Sequence, residues 1–464
     1  MILNKLFISI FIMSELSIFR AYDVRGVYGS TINEPICRKI GAVFGHFINN
    51  DTKHDTSLVY IGRDVRLSSE NLQKSFVEGF LTQGKNVIDL GVLPLTVAAF
   101  YAWKSQKYLA YITASHMPKE WNGIKFFTPE GIGFSEPANN EIKKTYIIGV
   151  PEIKRHGEYT ELGNEKPIEQ YKNLLLFKLT PKKKLTIVTD AGNGVADLVV
   201  RDLFKKAGHT IISLNSKPDG NFPNRKVDPN EDPLKDLRDT IINKNADLGI
   251  AFDGDADRLV VISDKGKKIP ADHLAFLLLK ELYKTESGPV IANVECSYIV
   301  DDVAKEYGQK VIRVPVGDTY LMQGVHEFKA VLGIEKSGHA CVPSLVPCDD
   351  AIAIAYYLSC NLQEKISDTL KQVPQYNFDR VNFTCSDDVK TMIMEKIRKQ
   401  MLKKYGSEKT STLDGIRIDF ETSWILIRQS NTEPLIRLTI EAKSQQDLTA
   451  LKDEFVPIIE KHII

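Results

Sequence analysis

One pattern limits this chain more than any other. Three times over, a short apolar strand, a polar turn, an amphipathic helix and a second apolar strand follow in order: "LVYIGRDVRLSSENLQKSFVEGFLTQGKNVIDLG", "LTIVTDAGNGVADLVVRDLFKKAGHTIISLN" and "PVIANVECSYIVDDVAKEYGQKVIRVPVG". Such a run buries its apolar faces as a βαβ unit. Each helix exit carries a glycine (Gly84, Gly208, Gly308), the residue that stops a helix and lets the chain re-enter a sheet. Three α/β domains with mixed sheets follow, and at 464 residues the chain is too long for a single core.

The tail is different. "IRIDFETSWILIRQ" and "LIRLTIEA" alternate in the two-residue period of half-buried strands, and "SQQDLTALKDEFVPIIEKHI" is an amphipathic helix, which makes a small α+β domain. Polar, lysine-rich or proline-rich stretches at "GNEKPIEQ", "LTPKKK", "SDKGKKIP" and "KQVPQYNF" read as linkers. The expected domains are 14–164, 165–263, 264–374 and 375–464, after an appendage at 1–13. That appendage, "MILNKLFISIFI" before Met13, is vaguely like a signal peptide but has no small-residue cleavage site, and it is too short to span a bilayer.

Charge and cysteine narrow the function. Sixty basic and sixty acidic residues cancel, so the whole chain has no electrostatic reason to bind nucleic acid or an anionic membrane. Six cysteines without a CxxC pair suit the reducing cytoplasm and argue against a cysteine zinc site. Function has to be sought in local sites. A monomer or homodimer with small-molecule partners is the separate expectation.

Four segments could carry chemistry. In "ADLGIAFDGDADRLVVIS", Asp253, Asp255 and Asp257 crowd five residues between two apolar runs. Bare charges about 4 Å apart repel by roughly 4 kcal/mol at an effective dielectric near 20, which a divalent cation relieves. Oxygen ligands favour magnesium or calcium over zinc, and Arg258 stands where an EF-hand needs glycine, so magnesium fits better. A solvated acidic turn is the bland alternative.

In "YITASHMPKEWNGIKFF", Ser115 sits at a turn between two strand-like runs, where a serine ordinarily caps or turns the chain. No GxSxG elbow is present, and the adjacent His116 cannot be assumed to be its base. Lys125 follows on the second run and could donate to a phosphate oxygen. "RQSNTEP" offers the guanidinium of Arg428 and the polar groups of Ser430, Asn431 and Thr432, a phosphate clamp in composition that a polar hairpin loop would equally explain. "GIEKSGH" gathers Glu335, Ser337 and His339, groups suited to reading sugar hydroxyls, in what is otherwise a plausible surface turn. "DAGNG" at 190–194 lacks the third glycine of a dinucleotide fingerprint and reads as the turn of the second βαβ unit.

Taken together and in order, "TASHMP", "DGDADR", "GIEKSGH" and "RQSNTEP" resemble the four active-site loops of the α-D-phosphohexomutases, the phosphomannomutase/phosphoglucomutase superfamily, with "YDVRG" near the start as a fifth match. The resemblance covers nearly the whole chain. It implies three α/β domains and a C-terminal α+β domain of the TATA-box-binding-protein-like kind, heart-shaped around a central cleft.

It further implies Ser115 as a phosphoserine, with Ser115, Asp253, Asp255 and Asp257 around one Mg2+. Glu335, Ser337 and His339 would read the sugar, and Arg428, Ser430, Asn431 and Thr432 would grip the distal phosphate. Arg25, Lys125, Arg258 and His339 would stabilise charge or move the hydroxyl proton, with the base unresolved. The implied reaction interconverts hexose 1- and 6-phosphates through a hexose 1,6-bisphosphate, which also serves as activator.

The chain departs from the usual pattern at Met117, where asparagine is common, at Ile334 and Asp350, where glycine is common, and at Thr319, where a basic residue is common and Arg313 could compensate. Asn431 resembles the mannose/glucose branch. Phosphoglucosamine mutase and a catalytically silent sugar-phosphate binder are the competing readings.

Overall fold

A computed structural model of the chain describes residues 15–151, 153, 155–430 and 434–463. The chain forms two compact units, one of residues up to Ala271 together with Ser337–Thr369, the other of Asp272–Lys336 with Leu370–Ile464.

The first unit opens on a six-stranded sheet: β1 (Asp23–Val27), β2 (Leu58–Arg63), β3 (Asn86–Val92), β4 (Tyr108–Ile112), β5 (Trp121–Phe127) and β6 (Tyr159–Glu161), in the order β1-β5-β4-β2-β3-β6. The first βαβ unit supplies its parallel core, β2 beside β3, with β4 parallel on the other flank. β5 returns antiparallel to β4 after the Ser115 loop, and β1 pairs antiparallel with β5. Helices Glu34–Phe47 and Ser69–Leu81 cover this sheet. They meet backbone to backbone: a Cβ on Gly41 would lie 2.0 Å from the Phe76 carbonyl oxygen, and one on Gly79 1.8 Å from that of Arg38. Phe44 reaches across from the first helix to stack on Phe126 of β5, with centroids 4.5 Å apart.

The second sheet holds β7 (Thr186–Asp190), β8 (Thr210–Leu214), β9 (Leu248–Phe252), β10 (Leu259–Ser263) and β11 (Lys268–Ile269), ordered β11-β10-β9-β7-β8. β7 pairs parallel with β8 and β9, while β9 and β10 form an antiparallel hairpin whose connection carries the three aspartates. Both hairpin strands are buried along their whole length, which anchors the polar loop between them.

In the second unit β12 (Val290–Asn293) lies between β13 (Val311–Val314) and β14 (Leu332–Ile334), parallel to both. The chain returns to the first unit for the short β15 (Ala340–Cys341) and the helix Ala351–Asn361. It then forms an antiparallel sheet in the second unit from β16 (Asn377–Thr384), β17 (Thr410–Ser411), β18 (Ile416–Asp419), β19 (Ser423–Gln429) and β20 (Leu435–Ala442), ordered β16-β20-β19-β18-β17. Helices Asp387–Lys409 and Gln445–Ile463 pack on it over a core that includes Ile397, Met401, Ile425, Ile427 and Phe455.

All three predicted βαβ units form, and Gly84, Gly208 and Gly308 adopt φ of +67°, +96° and +69°, the left-handed turn expected after a helix. Two of the expected linker stretches carry regular structure. "GNEKPIEQ" runs into the helix Glu165–Lys178, whose buried face of Ile168, Tyr171 and Leu175 outweighs its polar start. "SDKGKKIP" is the tight turn of the β10–β11 hairpin, closed by the Ser263 N–H donating to the Lys267 carbonyl at 2.8 Å. The appendage at 1–13 lies outside the described residues. Among the described residues no helix is long and apolar enough to cross a membrane, and all six cysteines are free thiols, every one buried.

Candidate active site

Parallel pairing decides which loops meet. Arg63 at the end of β2 is in register with Ile112 at the end of β4, so residues 64–69 and the Ser115 loop leave the sheet side by side. In the second sheet Asp190 of β7 pairs with Ala251 of β9, which sets "DAGNG" beside the aspartate loop, and the Val195 N–H donates to the Gly254 carbonyl at 3.2 Å. Functional groups in α/β folds collect at these carboxyl ends of strands. Gly254 then passes so close to Ser115 that a Cβ there would lie 2.8 Å from the Ser115 carbonyl oxygen.

Ser115 is buried, with a φ of +50° that is unusual for a residue with a side chain. Its Oγ donates to Asp253 Oδ2 at 2.8 Å and lies 3.5 Å from Asp257 Oδ1. Its N–H donates to Thr113 Oγ1, and that hydroxyl is 2.9 Å from carboxylate oxygens of both Asp64 and Asp255. Lys125 projects from β5 to pair with Asp257 Oδ2 at 2.7 Å, both side chains being buried.

The three aspartates are buried, with ligand oxygens all within 4.8 Å of one another. Burial first, and then Asp257 and Asp255, push the Asp253 carboxyl well above its usual range. Burial and Asp257 push Asp255 up to about 7. At Asp257 burial again raises the pKa, but Lys125, His339 and Arg258 outweigh it and hold that carboxyl below its usual range. Asp255 Oδ1 is a buried oxygen without a hydrogen-bond partner among the described residues. A crowded, dry set of oxygen donors with an orphaned lone pair fits a hard divalent cation such as Mg2+.

Arg258 and His339 also belong here. The Arg258 Nε–H donates to His339 Nε2 at 2.8 Å, while His339 Nδ1 faces Asp349. Burial would lower the His339 pKa, but Asp349 and then Asp257 raise it to about 10. The ring can accept from Arg258 at Nε2 only as the neutral Nδ1–H tautomer, with that N–H facing Asp349. Protonation of Nε2 and the Arg258 contact exclude one another. His116 is closer to Ser115 than sequence adjacency suggests: its Nδ1 is 3.2 Å from Ser115 Oγ. Burial, then Arg258 and Arg25, keep it neutral. Arg25 on β1 pairs with Asp23, and its Nε is buried without a partner among the described residues.

The remaining expected residues divide between the units. Ser337, in the first, accepts from Asn230 Nδ2 at its carbonyl at 2.8 Å. Glu335, in the second, is buried and accepts from Gly317 N–H at 2.7 Å and Asn293 Nδ2 at 3.3 Å through Oε1. Arg428, at the end of β19, donates from Nε to Asp414 at 2.9 Å and borders a cavity of about 200 Å³ with Glu295, Ser430 and Arg437. Asn431 and Thr432 lie outside the described residues. Arg313, the residue expected to compensate at Thr319, has its guanidinium tied to Asp301 and to the Asn293 and Cys296 carbonyls. The departure at Asp350 has a local reason, since its carboxylate caps the helix Ala351–Asn361 at Ala353 N–H and accepts from the Tyr171 hydroxyl.

Sequence reasoning missed Asp64, Thr113 and Asp349. The signal for Asp64 was the charged "RDVR" that closes a buried strand.

Against known families, residues 16–147, 167–266, 270–376 and 381–458 match, in order, domain I, domain II and domain III (each alpha/beta/alpha) and the C-terminal domain of phosphoglucomutase/phosphomannomutase. The chain belongs to this family. It is 33% identical over 451 residues to the "Probable phosphoglucosamine mutase" of Methanopyrus kandleri, covering 96% of this chain and 98% of that one. With the "Phosphoglucomutase/phosphomannomutase" of Thermococcus kodakarensis it shares 31% identity over 457 residues, again 96% and 98% of the two chains. The crystal structure of a phosphoglucomutase/phosphomannomutase family protein from Burkholderia thailandensis superposes with a TM-score of 0.86 at 28% identity, over 96% of this chain and 98% of that one. This phosphohexomutase is therefore an enzyme of the mutase class, a phosphotransferase of the superfamily its loops resemble.

Proposed function

We propose that this phosphohexomutase interconverts the 1- and 6-phosphates of mannose or glucose through a phosphorylated Ser115 and a hexose 1,6-bisphosphate. The observation that carries the reading is the Ser115 hydroxyl, buried 2.8 Å from Asp253 in a loop that also faces Asp257 and Lys125. A Mg2+ held by Asp253, Asp255, Asp257 and a Ser115 oxygen would supply Lewis-acid stabilisation of the phosphoryl oxygens.

In the first half-reaction the free hydroxyl oxygen of the sugar phosphate bonds to the phosphorus of phosphoserine 115 as the bond to Ser115 Oγ breaks. The hydroxyl proton passes to a base. His339 suits that role: Nε2 carries a lone pair, and Asp349 at Nδ1 steadies the imidazolium that forms. Lys125, Arg25 and Arg258 offset the charge on the transferring group. In the second half-reaction the turned bisphosphate returns its other phosphoryl group to Ser115. Glu335 and Ser337 read the sugar, and Arg428, Ser430, Asn431 and Thr432 hold the phosphate that is not reacting. Arg437, directly opposite Arg428 across β19 and β20, adds a second guanidinium to that cavity. The setting is cytoplasmic, and the partners are small sugar phosphates only.

Asn431 in "SNTEP" favours mannose or glucose. A second reading, phosphoglucosamine mutase, draws on the name of the Methanopyrus kandleri relative. Intact mass decides the nucleophile: one added phosphate on the parent protein and none on Ser115→Ala, which also loses turnover. Rates on mannose 1-phosphate, glucose 1-phosphate and glucosamine 1-phosphate, with bisphosphate present, then separate the substrates. A glucosamine preference above about tenfold, or about 1.4 kcal/mol, would replace the first reading by the second. No turnover on any of the three would sink both.

A further inference from the structure

Behind the Ser115 loop lies a side chain that nothing above assigns to the reaction. Arg66 is buried, and its guanidinium occupies the hollow of the loop 115–121. Its five N–H donors meet five acceptors. Nε donates to Asp64 Oδ2 at 3.0 Å, Nη1 to the Pro118 and Trp121 carbonyls at 2.6 and 3.0 Å, and Nη2 to the Ser115 and Met117 carbonyls at 2.8 and 2.7 Å. Asp64 is fixed in turn by the Arg66 N–H, the Ser69 hydroxyl and Thr113. The ring of Phe222, from the second sheet's side of the unit, lies 5.3 Å from the guanidinium carbon.

We infer that Arg66 is a positioning residue for phosphoryl transfer, holding the Ser115 loop in one shape through its carbonyls while the serine gains and loses its phosphate. The inference rests on the phosphoserine reading above. A loop carrying an unusual positive φ at Ser115 keeps that shape only if its surroundings over-determine it. Four carbonyls turned inward onto one cation do so, and they turn the Ser115 hydroxyl the other way, towards Asp253. Each turn of the cycle adds and removes about two negative charges at that hydroxyl. A loop held only by side-chain packing would shift with each change, whereas a planar fork bonded at every N–H has no second arrangement. Lysine cannot substitute, because an ammonium has three donors radiating from one point.

The test uses the full chain with Mg2+ and glucose 1,6-bisphosphate, following kcat, KM for the sugar 1-phosphate and Ser115 phosphate occupancy by intact mass. Arg66→Lys is expected to lower kcat by about 10²-fold, the scale of a misplacement near 1 Å, with KM within about threefold of the parent. Arg66→Gly is expected to regain part of its kcat when a small alkylguanidinium is added, which a merely structural role would not predict. Asp64→Asn leaves the guanidinium and its four carbonyls in place and is expected to lower kcat about tenfold at unchanged KM. That variant decides the matter if the Arg66 variants do not fold. A kcat for Arg66→Lys or Asp64→Asn within about threefold of the parent would overturn the inference. A parent protein without phosphate on Ser115 would instead overturn the reading on which it rests.

Discussion

At the scale of single residues, the Lys125–Asp257 pair keeps one carboxylate of the loop charged while burial drives its two neighbours towards neutrality. Lys125→Met would leave Asp257 a buried charge without its ammonium. Losing one partner of a buried pair costs about 3–5 kcal/mol, so denaturant unfolding of the metal-free variant should show a loss of that order. Saturating Mg2+ should shrink it. The pH dependence has a definite sign. Burial and then Asp257 raise the Asp255 pKa to about 7 in the folded chain, against about 3.9 when unfolded. Its penalty is absent below about pH 4, grows as pH rises and is complete above about 7. The upward shift at Asp253 acts in the same direction, and the downward shift at Asp257 opposes it. Metal-free protein should thus lose stability from this pair between pH 4 and 7, and Mg2+ should raise Tm more at pH 7.5 than at pH 5. An equal rise at both would refute the assignment. Of these residues the three aspartates, Ser115 and Lys125 were legible as chemistry-bearing types at suggestive spacings. Arg66 was not, because an arginine after a strand looks the same whether it faces solvent or five acceptors.

At the scale of elements, the 2.0 Å approach of the absent Gly41 Cβ to the Phe76 carbonyl makes the Glu34–Phe47/Ser69–Leu81 crossing intolerant of side chains. Gly41→Ala must push the helices apart, an overpacking of about 1–3 kcal/mol visible as a lower Tm. A neutral effect would mean that the crossing yields easily. The βαβ units were legible because strand and helix periods alternate with glycine exits at Gly84, Gly208 and Gly308. The helix Glu165–Lys178 was not, since Lys, Glu and Pro at its start resemble a linker until Ile168, Tyr171 and Leu175 find a core.

At the scale of the whole molecule, the C-terminal sheet has its own core, contributed wholly by residues 383–459. A fragment spanning 375–464 should therefore unfold cooperatively. Its outer face is another matter: Trp424 and Leu426 pack on Val294, outside that fragment. Trp424 is fully buried in the whole chain, so its emission should be red-shifted in the isolated fragment. A blue emission would mean that the fragment hides the ring some other way, and a non-cooperative melt would mean that the core is not self-sufficient.

The sequence by itself determined the elements and the kinds of group available: three βαβ units, an antiparallel tail, three clustered carboxylates, a turn serine and a lysine ten residues after it. Periodicity and local chemistry are short-range properties, written into neighbouring residues. Only the tertiary structure decided which groups meet. Parallel register set the 64–69 segment beside the Ser115 loop, and the packing of Gly254 on that loop brought Asp253 to Ser115 across 138 positions. Those meetings depend on how sheets pair and pack, which no local window of the chain contains.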